Sequence, residues 1–209
     1  MKVVVFGSTG YTGSNIVAES RSRGIDTVGV ARKAGDGDLA GDATDAAFVA
    51  KATEGADVIV SALPTSAPAG TGPELAAALV PLVEAARATG ARLGVVGGAG
   101  SLRVGGADGI KLVDTPDFPE QVRPIAREHD RALDYLRTVT DVDWFYLSPA
   151  AAYGSFNPGE RTGTYRVSGD VLLADADGHS EISGVDYAQA FVDEIVTPRH
   201  HRERFSVAY

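Results

Sequence analysis

Val3-Val4-Val5-Phe6-Gly7-Ser8-Thr9-Gly10-Tyr11-Thr12-Gly13 joins a continuous apolar run to three glycines spaced three residues apart. An apolar run of this kind predicts a parallel strand covered on both faces. Ser14 to Arg23 reads as the helix that follows, closed by Gly24. Between them, Gly7 permits the tight turn out of the strand. Gly10 lets a ligand approach the backbone, and Gly13 lets helix and strand pack closely. A helix entered this way turns free N–H groups and a positive dipole end toward an anion. The spacing is GxxGxxG rather than GxGxxG, but strand, loop and helix stand in the order that gives such a pattern meaning. It points to the pyrophosphate of a dinucleotide held by Gly7, Ser8, Thr9, Gly10, Tyr11, Thr12 and Gly13. The plainer alternative is a βα turn whose glycines satisfy only the backbone.

Selectivity in such folds is set about 20 residues further on, at the end of the second strand, where an acidic residue suits the ribose hydroxyls of NAD. This chain has Ala31-Arg32-Lys33 there. Two adjacent cations favour a 2′-phosphate through charge-assisted hydrogen bonds. The expected cofactor is therefore NADP(H) in preference to NAD(H).

Further along, apolar runs and helical stretches keep alternating, which predicts an α/β, Rossmann-type doubly wound, mainly parallel sheet with helices on both faces. Expected strands are Thr27 to Ala31, a short one around Leu39 after the Gly35 to Gly41 turn region, Val58 to Val60, Arg92 to Val96, and Trp144 to Leu147. Val171 to Leu173 and Phe205 to Tyr209 complete the set. Expected helices are Asp45 to Thr53, a long one opened by Gly72-Pro73 and ended by Gly90, Phe118 to Arg137, and Val185 to Val196. Pro81 should kink or split the long helix, and Pro124 should set off the first turns of the next. No repeat or linker interrupts the chain, so one domain over residues 1–209 is expected, its substrate pocket built from loops 103 to 120 and 150 to 168.

Composition narrows the function. The 209 residues include no cysteine, which excludes disulfides, thiolate metal sites, iron–sulfur clusters and a cysteine nucleophile. The net charge of −9, with 19 scattered basic residues, argues against nucleic acid as the partner. No signal-peptide core or membrane span is legible, so a cytoplasmic protein without membrane partners is expected. The oligomeric state is left as monomer or homodimer.

The glycine loop, the segment Val95-Val96-Gly97-Gly98-Ala99-Gly100-Ser101-Leu102, and several downstream stretches together resemble the atypical short-chain dehydrogenase/reductases. Those stretches are Asp117-Phe118-Pro119, Asp143-Trp144, Leu147-Ser148-Pro149-Ala150-Ala151, Pro158-Gly159-Glu160-Arg161-Thr162-Gly163 and Arg204 to Tyr209. Within that superfamily the chain is similar to the group of biliverdin-IXβ reductase/flavin reductase and the bacterial NADH-flavin reductases. The resemblance implies Arg32, with Lys33, at the 2′-phosphate and Asp42 at the adenine. It implies Ala62, Leu63 and Pro64 along the ribose, and Gly97, Gly98 and Ala99 beside the nicotinamide. Ser101 then stands near the reacting face, and Pro149, Ala150 and Ala151 pass beside the carboxamide.

Typical short-chain dehydrogenases pair a tyrosine with a lysine four residues later, which lowers the tyrosine pKa. Here the residues four beyond a tyrosine are Asn15, Val139, Ala150, Asn157, Gly169 and Phe191. Alcohol–carbonyl chemistry is therefore not expected. Hydride transfer to an electron-poor conjugated ring needs mainly stacking and exclusion of water. The candidate catalytic groups are Ser101, as a hydroxyl beside the acceptor, and Tyr153, as an aromatic wall or phenol donor. A flavin would be a substrate rather than a tightly held cofactor. His129, within Arg127-Glu128-His129-Asp130-Arg131, reads as a solvated helix residue. His179, His200 and His201 read as lacking metal-ligand spacing to carboxylates, and no metal site is expected. Trp144 and Phe145 read as core, and Glu160-Arg161 as a local surface ion pair or a contact to an anionic substrate. The leading expectation is an NAD(P)H-dependent reductase of a small conjugated ring. A non-catalytic NADP(H) sensor binding a protein partner, similar to the NmrA branch, is the alternative. An isomerase or epimerase ranks last.

Overall fold

The opening apolar run forms β1 (Lys2–Phe6), which lies between β2 (Asp26–Ala31) and β4 (Val58–Ser61), parallel to both. In this computed structural model residues 1–33, 39–66 and 74–209 are described. The remaining strands are β3 (Leu39–Ala40), β5 (Arg92–Val96), β6 (Trp144–Ser148), β7 (Arg166–Ser168) and β8 (Glu203–Ala208). They make an eight-stranded sheet in the order β3-β2-β1-β4-β5-β6-β8-β7, parallel except for β7, which runs antiparallel to β8. Strand order reverses between β1 and β4, the place where open α/β sheets leave a crevice at their carboxyl edge.

Alternation along each strand builds two cores. Val4, Phe6, Ile59, Leu93 and Tyr146 face α2 (Ala46–Ala52), α3 (Leu75–Thr89) and α4 (Arg123–Thr138). Val3, Val5, Val60, Phe145 and Leu147 face α1 (Tyr11–Ser22) and α5 (Gly184–Val196). Both faces are covered, as the unbroken apolar runs require. Asp45 caps α2 by accepting from the backbone N–H groups of Ala47 and Phe48, and Gly90 ends α3 in the left-handed region at φ 74°. Among the described residues no helix is long and apolar enough to cross a membrane.

Several expectations need correction. Helix α1 begins at Tyr11, so Thr12 and Gly13 belong to its first turn. Pro81 does not split α3, because Leu75 and Leu79 before it and Leu82, Val83 and Ala86 after it are all buried in one core. The expectation for Pro124 holds: a separate 3-10 turn at Glu120–Val122 precedes α4, with Pro124 in its first turn. The late strand is Arg166–Ser168, not Val171 to Leu173, which runs as extended loop with a single bridge from Val171 to Arg103. The Gly72-Pro73 helix start and most of the Gly35 to Gly41 turn lie outside the described residues.

The stretch Pro158 to Gly163 is folded down by one carboxylate. Asp186, in the first turn of α5 and fully buried, accepts from Thr162 N (2.7 Å), Thr162 Oγ1 (2.8 Å), Gly163 N (3.0 Å) and the Tyr209 hydroxyl (2.6 Å). Burial pushes its carboxyl up, but these donors outweigh burial and hold it below the usual carboxylate range. The stabilisation is therefore present above the unfolded-state value of about 4 and is lost as pH falls through the lower folded value. Asp186→Asn should cost about 1.5–3 kcal/mol at neutral pH. Urea unfolding across pH should show the gap from wild type narrowing below about pH 4. A gap that stays constant with pH would refute this account.

Candidate functional site

Because β1, β2, β4, β5 and β6 are parallel, the turns that follow them share the carboxyl edge of the sheet. Gly7 leaves β1 at φ +84°, its N–H donating to Val30 O at 2.9 Å. A Cβ on Gly7 would sit 2.2 Å from Ala62 O, so the glycine turn lies directly against the turn after β4. A Cβ on Gly13 would sit 2.1 Å from Gly7 O, so helix and strand pack through that hydrogen-only position. Gly10 is different. Its Cβ would meet only Gly7 O, at 3.4 Å, so the protein's own packing does not demand glycine there. Gly10 is also the N-cap of α1, with no side-chain cap and no acidic residue in the first turn. The first N–H groups of the helix are thus left facing the crevice beside exposed Thr9 and Gly10, which is the cradle an anionic pyrophosphate fits.

Ser8 is buried within this turn. Tyr11 and Thr12 tie the turn to the loop after β6. The Thr12 and Tyr153 hydroxyls lie 2.8 Å apart, and the Tyr153 ring packs on Tyr11 and Tyr187 with centroids at 5.7 and 4.7 Å. Burial raises the Tyr153 phenol, which therefore stays protonated. Arg32 and Lys33 are exposed past the end of β2. Asp42 lies close enough to Arg32 to feel its charge, and its own Oδ1 accepts from Thr44 N at 2.9 Å and Thr44 Oγ1 at 2.8 Å. Those hydrogen bonds, with a smaller contribution from Arg32, hold the Asp42 carboxyl below its ordinary value.

After β5 the chain is laid against side chains of β6 and α4. Cβ atoms on Gly97, Gly98 and Gly100 would fall 2.1 Å from the Tyr146 ring, 2.9 Å from the His129 ring and 2.6 Å from Ala126 Cβ. Gly98 N donates to the Tyr146 hydroxyl at 3.1 Å, and that hydroxyl donates to His129 O at 3.1 Å. Ala62, Leu63, Gly98 and Ala99 are half-buried, Pro149 and Ala150 buried, and Pro64 and Ala151 exposed. Ser101 is buried at 5% exposure, its Oγ accepting from Arg204 at 3.1 Å. Phe156, in the loop after β6, is 77% exposed.

The charged run of helix α4 around His129 is partly buried. Glu128 is buried, and its carboxylate accepts from Ser66 N (2.8 Å), Ser66 Oγ (3.0 Å) and Leu75 N (2.7 Å). It therefore fastens the chain beyond β4 to the start of α3. His129 is half-buried rather than solvated, and desolvation of its ring pushes the pKa down to about 4, leaving a neutral imidazole at pH 7. The helical spacing of Ala126, His129 and Leu133 carried that signal. Arg161 pairs with Glu19 of α1 at 3.0 Å rather than with Glu160. His179 also needs correction: it lies in an exposed turn with Asp175 and Asp177, the three ligand atoms within 4.8 Å of one another. Asp175 Oδ1 there accepts from the Asp177 and His179 N–H groups, as a turn-forming aspartate does.

A family description of NAD(P)H-binding proteins matches residues 7–198. The chain belongs to this NAD(P)H-binding family. Its similarity to solved structures runs the full length of this chain. A "putative exported protein" of Burkholderia pseudomallei is 40% identical, with a TM-score of 0.88 and 100% of each chain covered. A "putative NADH-flavin reductase" of Streptococcus pneumoniae is 32% identical, with a TM-score of 0.90 and coverage of 100% of this chain and 99% of that one. A "putative epimerase" of Bacteroides thetaiotaomicron is 32% identical, with a TM-score of 0.85 and coverage of 100% and 96%. This NAD(P)H-binding protein is built on a Rossmann-like, mostly parallel sheet.

Proposed function

We propose that this chain is an NADPH-dependent reductase that passes hydride to a flavin or a comparable conjugated ring. The observation that carries the reading is the ledge at the carboxyl ends of β4, β5 and β6. Ala62, Gly98, Ala99 and Ala151, half-buried or exposed there, offer little beyond backbone and methyl groups, a lining on which a planar ring would lie flat. The bound nicotinamide would supply the hydride. Gly7 to Gly13 would hold the pyrophosphate, and Arg32 with Lys33 the 2′-phosphate. Acid–base machinery is sparse among the described residues: the Tyr153 phenol is engaged by Thr12, and His129 is half-buried and neutral. An epimerase needs a positioned acid and base. A ring acceptor, which delocalises the arriving charge, asks for less.

Purified protein mixed with NADPH and a panel of FMN, riboflavin, quinones and tetrapyrroles should show saturable loss of reduced-nicotinamide absorbance. Turnover no faster than the free reagents across the panel would remove the reading. Nucleotide-dependent capture of a protein partner would then favour the sensor. Arg32→Ala should weaken NADPH roughly 10- to 100-fold, the loss of charge-assisted hydrogen bonds, and leave NADH unchanged. Equal effects on both nucleotides would sink the NADPH preference.

A further inference from the structure

The ending Arg204 to Tyr209 carries part of the family resemblance, yet β8 lies beyond the nucleotide turns. Its side chains do identifiable work: Ser206 Oγ donates to Val171 O at 3.2 Å, and Tyr209 reaches Asp186. Arg204 is the unusual member, because its guanidinium is buried against the sheet with 3% of the side chain exposed. A buried cation is costly unless paired, and an apolar side chain would meet the needs of packing alone. What Arg204 touches explains its presence. Nη1 donates to Ser101 Oγ at 3.1 Å and reaches Ser148 Oγ at 3.5 Å, while Nη2 reaches Ser101 O at 3.5 Å. Ser148 Oγ in turn donates to Gly98 O at 2.9 Å. Nε donates to Asp170 Oδ1 at 2.5 Å, and the Asp170 carboxylate, paired also with Nη2, balances the charge.

We propose that Arg204 is a positioning residue for the acceptor side of the site: directly through Ser101, and through Ser148 at Gly98, it fixes both ends of the turn 98–101. The inference rests on the reading that this turn borders the nicotinamide and its acceptor. Because Ser101 Oγ accepts from the guanidinium, its own hydrogen is left to donate elsewhere. The flat guanidinium fork suits this task, since it meets two serines and a carboxylate at once, which the point charge of lysine does not.

Hydrogen exchange on Arg204→Met and Arg204→Lys, with and without NADP+, tests this together with NADPH affinity and turnover. Exchange over residues 97–102 should quicken roughly tenfold in both variants, while β1 and the glycine turn keep their protection. NADPH Kd should stay within about twofold, and kcat on a ring acceptor should fall roughly 10- to 100-fold at unchanged KM for NADPH. Unchanged exchange at 97–102, or loosening spread evenly over the sheet, would overturn the proposal. If Arg204→Met does not fold, Arg204→Lys, which retains a cation for Asp170, decides the question. If the wild type reduces no acceptor, the reductase reading falls, and the exchange pattern alone still decides the role of Arg204.

Discussion

Gly10→Ala should fold with wild-type stability and lose NADPH binding, whereas Gly13→Ala should lose both. The contrast follows from what each added methyl would meet. At Gly13 it lands 2.1 Å from Gly7 O and 2.8 Å from Gly7 C, backbone atoms that cannot move without unseating the turn from β1. Such overpacking costs about 1–3 kcal/mol, and the first turn of α1 shifts with it. At Gly10 the added methyl has room, with Gly7 O at 3.4 Å as its nearest neighbour, so only an arriving pyrophosphate would collide with it. We expect a drop in NADPH affinity of roughly 100-fold for each variant, by fluorescence titration, equal to about 2.7 kcal/mol. The unfolding midpoint should fall for Gly13→Ala alone. Wild-type affinity in Gly10→Ala would remove the glycine turn from the nucleotide site.

The largest loss of stability should come from Arg92→Ala, at the opposite edge of the sheet. Arg92 and Glu194 are both buried, joined at 2.6 Å, and Arg92 also donates to Glu194 O and His200 O. Glu194 further accepts from the N–H groups of Arg199 and His200, and His200 Nδ1 lies 2.7 Å from Glu194 Oε2. The guanidinium additionally covers the Phe145 ring at 4.6 Å. Removing one partner leaves the other charge buried, a change that costs about 3–5 kcal/mol, or roughly 6–20 °C of midpoint in a chain of this size. Arg92 opens β5, whereas the turns proposed to hold the nucleotide lie past the carboxyl ends of the strands. NADPH affinity of the folded variant should therefore be unchanged. A loss below 1 kcal/mol would show that the pair contributes little to stability.

The central strands were legible because burial on both faces leaves nothing polar in Val3 to Phe6 or Trp144 to Leu147. Helix ends at Asp45 and Gly90 were legible because capping is local chemistry. Strand β7 was not, since Arg166-Val167-Ser168 is an outer strand with one apolar residue, while the apolar Val171 to Leu173 is satisfied as loop. Local rules also overstated Pro81, where core contacts on both sides keep the helix whole. In the candidate site, the glycine turn and the exposed Arg32-Lys33 pair after β2 were legible as positions, because local sequence fixes both. Buried polar groups were not: Glu128 with Ser66, Arg204 with Ser101 and Asp186 with Thr162 are partners separated by 62, 103 and 24 positions. No local pattern records such a pairing before the chain folds.

The strand order β3-β2-β1-β4-β5-β6-β8-β7 has a consequence for descent. On the proposed reading, the turns that would meet the pyrophosphate and adenosine follow β1 and β2. The turn at 98–101 and the stretch 158–163 are fastened from β6, β8 and α5. On that reading, substitutions on the latter elements would reshape the surroundings of the second reactant while leaving the coenzyme grip intact. A lineage built on this plan can trade one substrate for another and keep its currency of reducing power, so kinship among its members is a better guide to the coenzyme than to the reaction.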